Sequence, residues 1–292
     1  MNNFSKDKID DVTFLIVTFK CAESIHKCIN SIPEKYHILV IENSADNFFK
    51  SDLEKKYNNV KCILTGENLG FGKANNIGLK LVQSKYTFLI NPDVLLTSNT
   101  IEQLIHYSQE IKDFALLAPV LNDLEDKNYS NYKKKLPTVN KSEYLEVDSI
   151  RGFAMFFNMS KFKSIGFFDE KIFIYFEEDD LCRRVRNLNQ KIYVILSSKV
   201  IHKGGQSHNK EFNEQMELSR NWHHMWSFFY YNKKHFTYFY ALLISFHKLI
   251  FYSLRLIFYS LGSSRNKKKY KQRLSGLINS YIGKPSWYRP KI

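Results

Sequence analysis

Residues 86–94 join a mostly apolar run to an abrupt polar stop, and this junction constrains the fold more than any other feature of the chain. The run 86–90 has the length of a buried strand, and Asn91-Pro92-Asp93 follows it directly. Pro92 has no backbone N–H for a central ladder, so the strand must end there. Asp93 then lies at the carboxyl edge of the sheet, where open α/β sheets bind ligands. A carboxylate there suits a hard divalent cation, although Asn-Pro-Asp is also ordinary turn chemistry.

Strand-like and helix-like patterns alternate through the first 120 residues. The periodicity predicts strands at 12–19, 36–41, 60–64, 86–90 and 114–120, and helices at 25–32, 73–82 and 100–111. Such alternation is typical of a doubly wound, mainly parallel sheet. Residues 121–147 are polar, and we expect a surface excursion there. A strand-like stretch returns at 150–159 with Arg151-Gly152 inside it, where the glycine indicates either a bulge or a plain strand position.

Charge is divided unevenly along the chain. Residues 1–202 contain 27 basic and 26 acidic residues, whereas residues 203–292 contain 16 basic and 3 acidic. A hydrophobic content of 44% is enough for one sizeable α/β domain with an appendage. We therefore expect a nearly neutral catalytic domain over residues 1–210. Residues 211–292 are expected to form a helical, aromatic-rich, basic region that faces an anionic partner.

The cysteines indicate a reducing compartment. Cys21, Cys28, Cys62 and Cys182 include no Cys-x-x-Cys spacing. Residues 1–11 are polar and do not resemble a signal peptide. We expect reduced, structural thiols in a cytoplasmic protein.

The C-terminal region interleaves aromatic, aliphatic and basic side chains. Residues 222–261 contain 15 aromatic residues, and the uncharged run 236–246 is 11 residues long, against the roughly 20 that span a bilayer. This mixture favours a helix lying in the membrane interface. Attraction to anionic lipid would be reinforced by Arg265, Lys267, Lys268, Lys269, Lys271 and Arg273. A helical subdomain packed on the catalytic domain is the alternative. Nucleic-acid binding is not expected, because no recognition motif is present and the region is too apolar.

A glycine-rich segment follows the third predicted strand and opens the next helix; its sequence is Glu67-Asn68-Leu69-Gly70-Phe71-Gly72. Glycines let a backbone approach a ligand closely, and the N–H groups of a helix N-terminus favour anions. The segment lacks the spacing of the dinucleotide-binding fingerprint. A plain helix-capping loop is the alternative interpretation.

Four consecutive acids begin a predicted helix, Glu177-Glu178-Asp179-Asp180, and arginines follow in its later turns. Acids near the N-terminus and bases near the C-terminus complement the helix dipole, so capping alone is one interpretation. At about 100° per residue, Glu177 and Asp180 share a face with Arg184. Glu178 projects elsewhere. We therefore expect Glu177, Asp180 and Arg184 to have structural roles and Glu178 to take part in the chemistry.

His202 leaves a short strand-like segment and enters a glycine-containing loop over residues 203–208. Neutral imidazole is a common metal ligand. A loop histidine without a ligand role is the alternative.

In this order the segments resemble the inverting nucleotide-sugar glycosyltransferases of family 2, and most nearly the rhamnosyltransferase-like branch that builds bacterial cell-surface polysaccharide. The resemblance covers about residues 12–210. It rests on Ile16-Val17-Thr18-Phe19, Val40-Ile41-Glu42-Asn43-Ser44, Glu67 to Gly72 with Ala74-Asn75-Asn76, Asn91-Pro92-Asp93-Val94, Gly166-Phe167-Phe168-Asp169-Glu170, Tyr175-Phe176-Glu177-Glu178 with Asp180-Leu181, and Ile201-His202. It implies a GT-A fold, a Rossmann-like sheet with flanking helices that binds one sugar nucleotide.

The resemblance also implies which residues contact the donor. Thr18, Phe19 and Glu42 would line the base and ribose pocket, and Asn68, Gly70 and Phe71 would lie near the diphosphate. Glu42 stands where the family more often has aspartate.

The metal and the base follow from the same resemblance. Asp93 would coordinate Mn²⁺ or Mg²⁺ with His202 as a second ligand, and Asn91 replaces the first acid of the metal motif. Glu178 occupies the position of the catalytic base, where aspartate is usual. Asp179 and Glu177 are therefore alternatives for that role. We expect Asp93 and the base to converge on a single cleft.

The expected activity is transfer of a sugar from a nucleoside diphosphate to a hydroxyl of a polyprenyl-linked saccharide. Deoxythymidine diphosphate–rhamnose is the expected donor, and a UDP-sugar is the alternative. The resemblance and the tail together imply a cytoplasmic enzyme bound peripherally to the inner face of the cell membrane. A catalytically inactive scaffold of the same fold is a further alternative.

Overall fold

A mixed α/β sheet occupies the first of two compact units in the computed structural model. The structure describes residues 11–122, 127–131, 143–202, 212–260, 262 and 264–290. The first unit comprises the described parts of Met1–Leu69, Ala74–Phe168 and Leu181–His208. The second comprises Gly70–Lys73, Asp169–Asp180 and the described parts of Asn209–Ile292. The helical unit thus takes two short segments from within the predicted catalytic domain of residues 1–210.

The strands all belong to the first unit. They are β1 Val12–Thr18, β2 His37–Glu42, β3 Val60–Leu64, β4 Tyr86–Ile90, β5 Val94–Leu96, β6 Leu116–Leu121, β7 Tyr129–Ser130, β8 Tyr144–Glu146, β9 Ser149–Ile150, β10 Ala154–Asn158 and β11 Ile192–His202. Nine of them form one sheet in the order β3-β2-β1-β4-β10-β6-β11-β5, with β8 paired to β11. Among the described residues, β7 and β9 form a separate ribbon.

The four strands β3, β2, β1 and β4 run parallel, and β6 and β11 form a second parallel pair. Only β10, β5 and β8 join the sheet antiparallel. This arrangement confirms the predicted mainly parallel α/β sheet. Its consequence is that the carboxyl ends of β1, β2 and β4 meet at one edge.

Six helices begin before residue 200: α1 Ala22–Asn30, α2 Asn47–Lys56, α3 Phe71–Leu81, α4 Thr100–Glu110, α5 Phe162–Ile165 and α6 Glu177–Asn187. The predicted helices at 25–32, 73–82 and 100–111 are confirmed within a few residues as α1, α3 and α4. Helix α2 was not predicted. It begins after Asp46, whose side chain accepts a hydrogen bond from the Phe49 N–H at 2.9 Å, and its apolar face is short.

One predicted strand is interrupted. The stretch 150–159 was expected to be continuous, but Arg151-Gly152-Phe153 forms a turn between β9 and β10. The carbonyl of Phe153 accepts a hydrogen bond from the Asn91 N–H at 2.9 Å, so the turn is tied to the end of β4. Of the predicted surface excursion at 121–147, residues 123–126 and 132–142 lie outside the described residues.

Aromatic side chains on neighbouring strands fill the centre of the sheet. Phe14 of β1, Phe88 of β4 and Phe156 of β10 are fully buried. Their ring centroids lie 5.4 Å apart across β1 and β4, and 6.0 Å apart across β4 and β10. The four cysteines are free and buried, as predicted for structural thiols. Burial raises the pKa of Cys62 to about 12, which disfavours the reactive thiolate.

Three long helices make up most of the second unit: α7 Asn213–His235, α8 Tyr238–Ser260 and α9 Ser264–Tyr281. They confirm the predicted helical C-terminal region. Their common core consists of Met225, Phe229, Ala241, Tyr252 and Leu277. Because these side chains pack against one another inside the second unit, part of the aromatic content of the C-terminal region is explained by this core.

Helices α7 and α9 approach each other closely at Gly276. A methyl group at this position would overlap the backbone carbonyl oxygen of Trp222. The Trp222 indole N–H donates to the Ser275 hydroxyl at 3.1 Å, next to the glycine. The contact therefore needs a residue without a side chain.

We expect Gly276→Ala to destabilise the second unit by about 1–3 kcal/mol, because neither helix backbone can move without disturbing the Trp222 contact. Urea unfolding measures the change. Gly262→Ala is the matched control, since an added methyl there meets no atom within 4 Å. Equal stability of the two variants would contradict the close approach of α7 and α9.

Candidate active site

Three hydrogen bonds hold the Glu42 carboxylate at the carboxyl ends of β1 and β2. Glu42 is fully buried. Its carboxylate accepts from the Thr18 hydroxyl, from the Ser44 hydroxyl at 2.5 Å and from the Lys20 N–H at 3.3 Å. Phe19, between Thr18 and Lys20, is half-buried. The residues expected to line the base and ribose pocket are therefore together, and Glu42 is fixed by donors on both strands.

The amide of Asn43 ties the glycine-rich segment to the end of β2. Its nitrogen donates to the Asn68 side-chain oxygen at 3.1 Å. Its oxygen accepts from the Leu69 N–H at 2.9 Å. Asn68 is thus positioned by a neighbour that follows Glu42 directly.

Gly70 adopts a left-handed conformation with φ of +85°. A side chain there would overlap the backbone of Phe173, and the next residue, Phe71, donates its N–H to the Phe173 carbonyl at 2.8 Å. Glycine at this position therefore has a structural reason of its own, and contact of Gly70 with the donor diphosphate stays a prediction. The close neighbour that requires glycine is the chain's own backbone.

Asp93 and His202 meet where β5 begins and β11 ends. Antiparallel pairing of β5 with β11 sets His202 opposite Val94, and Asp93 is the preceding residue. The Nε2 atom of His202 lies 3.3 Å from Oδ1 of Asp93. The His202 ring stacks on Phe153 with centroids 4.2 Å apart, which fixes its orientation. The predicted pair of metal ligands is therefore brought together.

The Asp93 carboxylate fits a divalent cation. Its side chain is almost completely buried, yet Oδ1 has no hydrogen-bond donor among the described residues, because the His202 contact lacks hydrogen-bond geometry. A buried carboxylate oxygen without a donor is costly unless a cation satisfies it. Within the described part of the chain, no three His, Cys, Asp or Glu side chains cluster as metal ligands. Asp93 and His202 would hold the ion and leave its other positions for substrate oxygens and water.

The turn before α6 is strained. Tyr175 and Phe176 have φ of +70° and +68°, values that side chains disfavour. Neighbours in the second unit hold it: the Ile174 carbonyl accepts from the Ser227 hydroxyl at 3.0 Å, and the Phe176 ring contacts Phe228 at 6.0 Å between centroids. Strain of this kind is kept where the backbone must present a side chain in one direction.

Two side chains of α7 contact Asp180. Lys234 Nζ lies 2.5 Å and His235 Nε2 lies 2.7 Å from its Oδ1, and Asp180 is fully buried. Lys234 also contacts Asp169 at 2.7 Å, and Tyr230 donates to the same carboxylate at 2.9 Å. Hydrogen bonding to Lys234 lowers the pKa of Asp169 against the opposing effect of burial. The network anchors both acidic segments of the second unit to one helix.

The four acids at the start of α6 have different surroundings. Glu177 is buried, and burial followed by repulsion from Glu178 raises its pKa well above the usual value. Glu177 is therefore poorly suited to be a base that must start ionised. Glu178 and Asp179 are half-buried. These two acids are the ones that combine access to solvent with a site at the positive end of a helix.

Arg184 has the structural role that was expected of it. Its guanidinium donates to the backbone carbonyls of Ile165 at 2.8 Å, Gly166 at 3.2 Å and Phe167. These contacts close the turn that follows α5.

Four residues of these arrangements were not singled out from the sequence as site residues: Ser44, Phe153, Lys234 and His235. Ser44 lies in the same motif as Glu42 and carried a local signal. Phe153, Lys234 and His235 carried none, because their roles arise from strand register and from contacts between residues at least 49 positions apart.

The comparisons with known proteins identify relatives by sequence. The family model described as Glycosyl transferase family 2 matches residues 13–173. A low-salt glycan biosynthesis hexosyltransferase of Haloferax volcanii is 24% identical over 202 residues, covering 63% of this chain and 64% of that protein. Rhamnosyltransferase WbbL of Escherichia coli is 25% identical over 233 residues, covering 70% of this chain and 86% of that protein. An N-acetylglucosaminyl-diphospho-decaprenol L-rhamnosyltransferase of Mycobacterium tuberculosis is 22% identical, covering 56% and 66%. The chain thus spans just under two thirds of the first and third of these relatives.

Solved structures share the fold. TarS 1–349 of Staphylococcus aureus in complex with UDP-GlcNAc superposes with a TM-score of 0.52 at 14% identity, covering 95% of this chain and 93% of that chain. Mannosyltransferase PcManGT from Pyrobaculum calidifontis, in complex with GDP-Man and Mn²⁺, gives 0.56 at 11% identity, covering 92% and 86%. At such identities the likeness concerns architecture, and it confirms the expected GT-A fold.

His223 supports the segment that contacts Gly70. Its ring stacks on Phe173 with centroids 4.3 Å apart. Its Nε2 lies 2.7 Å from the Tyr288 carbonyl, and its Nδ1 lies 3.0 Å from the Ser286 hydroxyl. Because a carbonyl only accepts, Nε2 carries the proton and Nδ1 accepts from Ser286. Burial lowers the pKa of His223 to about 3, so the ring is neutral.

This neutral histidine makes stability depend on pH. The unfolded side chain has a pKa of about 6.5, so between pH 6.5 and 3 the unfolded chain binds more protons and the folded state loses stability as pH falls. We expect the stability difference between wild type and His223→Gln to shrink by about 2–3 kcal/mol from pH 7.5 to 4.5 in urea unfolding. The exposed His106, replaced by Gln, serves as control. A pH-independent difference would mean that the pKa of His223 is the same in the folded and the unfolded state.

Proposed function

Because the chain belongs to glycosyl transferase family 2, we propose that it is an inverting, metal-dependent glycosyltransferase. It moves a sugar from a nucleoside diphosphate to a hydroxyl of a lipid-linked saccharide in cell-surface polysaccharide synthesis. The observation that carries the proposal is the buried Asp93 oxygen without a donor, 3.3 Å from His202 Nε2 at the carboxyl edge of a parallel sheet. A site of this kind would bind the divalent cation that holds the donor diphosphate.

Most residues proposed to bind the donor belong to the first unit, whereas Gly70 and Phe71 belong to the second. Glu42, held by Thr18 and Ser44, presents a fixed acceptor for the hydroxyls of the nucleoside. Asp93 and His202 would bind the diphosphate through the divalent cation. When bound, the cation stabilises the negative charge that the diphosphate gains as it leaves.

The acceptor side is assigned to Glu178. The attacking hydroxyl oxygen forms a bond to the anomeric carbon while the bond from that carbon to the diphosphate breaks. The hydroxyl proton passes to the Glu178 carboxylate, which must be ionised and accessible. One displacement from the face opposite the leaving group inverts the anomeric centre. Lys234 contributes by pairing with Asp180, which reduces the negative charge around the base.

The donor is proposed to be deoxythymidine diphosphate–rhamnose, with a UDP-sugar as the alternative. The names of two relatives, WbbL and the mycobacterial enzyme, specify rhamnosyl transfer, and the latter name also specifies a decaprenol-linked acceptor. These names support rhamnose and a polyprenyl-linked acceptor here. Because decaprenol is a membrane lipid, the mycobacterial name also supports an enzyme that works at a membrane, and we propose the cytoplasmic face.

A panel of sugar nucleotides tests the donor and the metal. We expect one sugar nucleotide to raise the melting temperature in the presence of Mn²⁺ or Mg²⁺ and to have no effect with EDTA. At 100 times its Kd, a ligand adds about 2.7 kcal/mol of stability. Asp93→Asn should abolish the metal-dependent shift, whereas Asp52→Asn, at a half-exposed carboxylate of α2, should keep it. A donor shift that survives EDTA and Asp93→Asn would remove the metal from the proposal.

Replacement of the acids one at a time tests the base. Glu178→Gln should lower sugar transfer by a factor of about 10²–10⁴, the usual contribution of a general base, and should leave donor affinity within about threefold. Asp179→Asn and Glu177→Gln are matched controls, and each should retain most of the activity. Loss of transfer in Asp179→Asn with retention in Glu178→Gln would assign the base to Asp179. Donor binding without any transfer in wild type would favour the inactive scaffold.

A further inference from the structure

Helix α8 has one packed face and one bare face. Ala241, Ser245 and Tyr252 are buried within the second unit. On the opposite side six large apolar side chains are 46–80% exposed: Phe239, Leu243, Phe246, Ile250, Leu254 and Ile257, here called the α8 ridge. At about 100° per residue they fall within a sector of about 80°. They form a continuous stripe along a helix about 34 Å long.

The α8 ridge contains no charged residue. The two cations of the helix, Lys248 and Arg255, lie on the other side of the helix wheel. Lys248 Nζ is 5.3 Å from the centroid of the Phe228 ring of α7. Arg255 lies 5.2 Å from the Phe251 ring. An exposed apolar stripe of this length marks an interaction surface.

The positive charge of the C-terminal region indicates which kind of partner the α8 ridge contacts. Residues 212–290 contain 13 Lys and Arg but only 2 Asp and Glu. Both acids, Glu214 and Glu217, contact cations of α9 at exposed positions. A second copy of the chain would bring the same positive charge to the contact, whereas an anionic bilayer complements it.

The packing of α8 favours a helix in the plane of the bilayer over one that crosses it. Among the described helices, α8 alone is long and apolar enough to span. Crossing would separate Tyr252 from Met225, which its hydroxyl contacts at 3.5 Å, and would place Lys248 and Arg255 in hydrocarbon. Lying in the interface buries the ridge and leaves the packed face unchanged.

We propose that the protein docks on an anionic membrane surface through the α8 ridge, with α8 parallel to the bilayer plane. The inference deepens the proposed function and rests on it for the lipid-linked acceptor. The physical basis of the docking itself is independent of the chemistry: the exposed stripe supplies burial in the interface, and the basic second unit supplies attraction.

Vesicle flotation of the full chain tests the proposal. Vesicles of phosphatidylcholine with about one third phosphatidylglycerol should bind the wild type at least tenfold better than pure phosphatidylcholine at low salt. The triple variant Leu243→Gln, Ile250→Gln, Leu254→Gln should lose at least tenfold of that binding. These side chains are exposed, so the variant is expected to fold, and an unchanged circular dichroism spectrum checks this.

A matched triple variant controls for surface hydrophobicity. Phe48→Gln, Leu81→Gln and Leu188→Gln replace side chains that are 50–81% exposed in the first unit, and they should leave flotation unchanged. Equal flotation of wild type and ridge variant would overturn the proposal. So would a wild-type dimer that the ridge substitutions convert to a monomer, or wild-type protein that resists extraction from vesicles by alkaline carbonate.

Donor binding separates this proposal from the proposed function. The ridge variant should bind sugar nucleotide with wild-type affinity. Lost flotation with intact donor binding in the ridge variant supports docking through the ridge. Failure of wild type to float while it binds the donor rejects docking alone. Wild-type flotation without binding of any sugar nucleotide upholds docking and rejects the proposed function.

Discussion

Parallel pairing of β1 with β2 and with β4 is the constraint on which the candidate site depends. Because the three strands run in the same direction, the residues at their carboxyl ends lie at one edge of the sheet. This placement does not depend on the conformation of the loops between the strands. Thr18, Glu42 and Asp93 reach that edge in this manner. Each is buried, so each needs a partner, and the partners differ. Glu42 is satisfied by hydroxyl and N–H donors within the chain, whereas one oxygen of Asp93 is left for a ligand.

The four adjacent acids at the start of α6 place negative charges close together, and their surroundings differ. Four adjacent carboxylates cannot all be buried and ionised at the start of one helix. Asp180 is paired with Lys234 and contacts His235, and burial raises the pKa of Glu177. Glu178 and Asp179 are half-buried and so keep access to solvent. A left-handed backbone at Tyr175 and Phe176 sets the direction of the helix start. The acid run is therefore divided into two buried residues and two half-buried candidates for the base.

Sequence patterns identified the elements that depend on local chemistry. Strands β3 and β4 were predicted at their observed bounds because each is an apolar run bounded by polar residues. Asp93 was singled out because Pro92 has to end β4. Helix α2 was missed because its apolar face consists of little more than Phe49 and Leu53. At Gly152 the sequence left a bulge and a plain strand position open, and the structure has a turn there between β9 and β10.

In the C-terminal region, the positions of the side chains around α8 separate charged from apolar residues, which composition alone does not show. The sequence showed only that cations, including Lys248 and Arg255, are interleaved with apolar residues, and it assigned neither of them to a face of the helix. In the folded unit both lie away from the α8 ridge and over aromatic rings. The separation follows from helix geometry, since residues 248 and 255 are seven apart and so share one side of α8. Insertion and attraction are then supplied by different parts of the unit. The ridge contributes apolar area, and the lysine-rich α9 contributes charge that needs no direct contact with lipid tails. A surface built in this way would allow the proposed membrane docking without placing any charge in hydrocarbon.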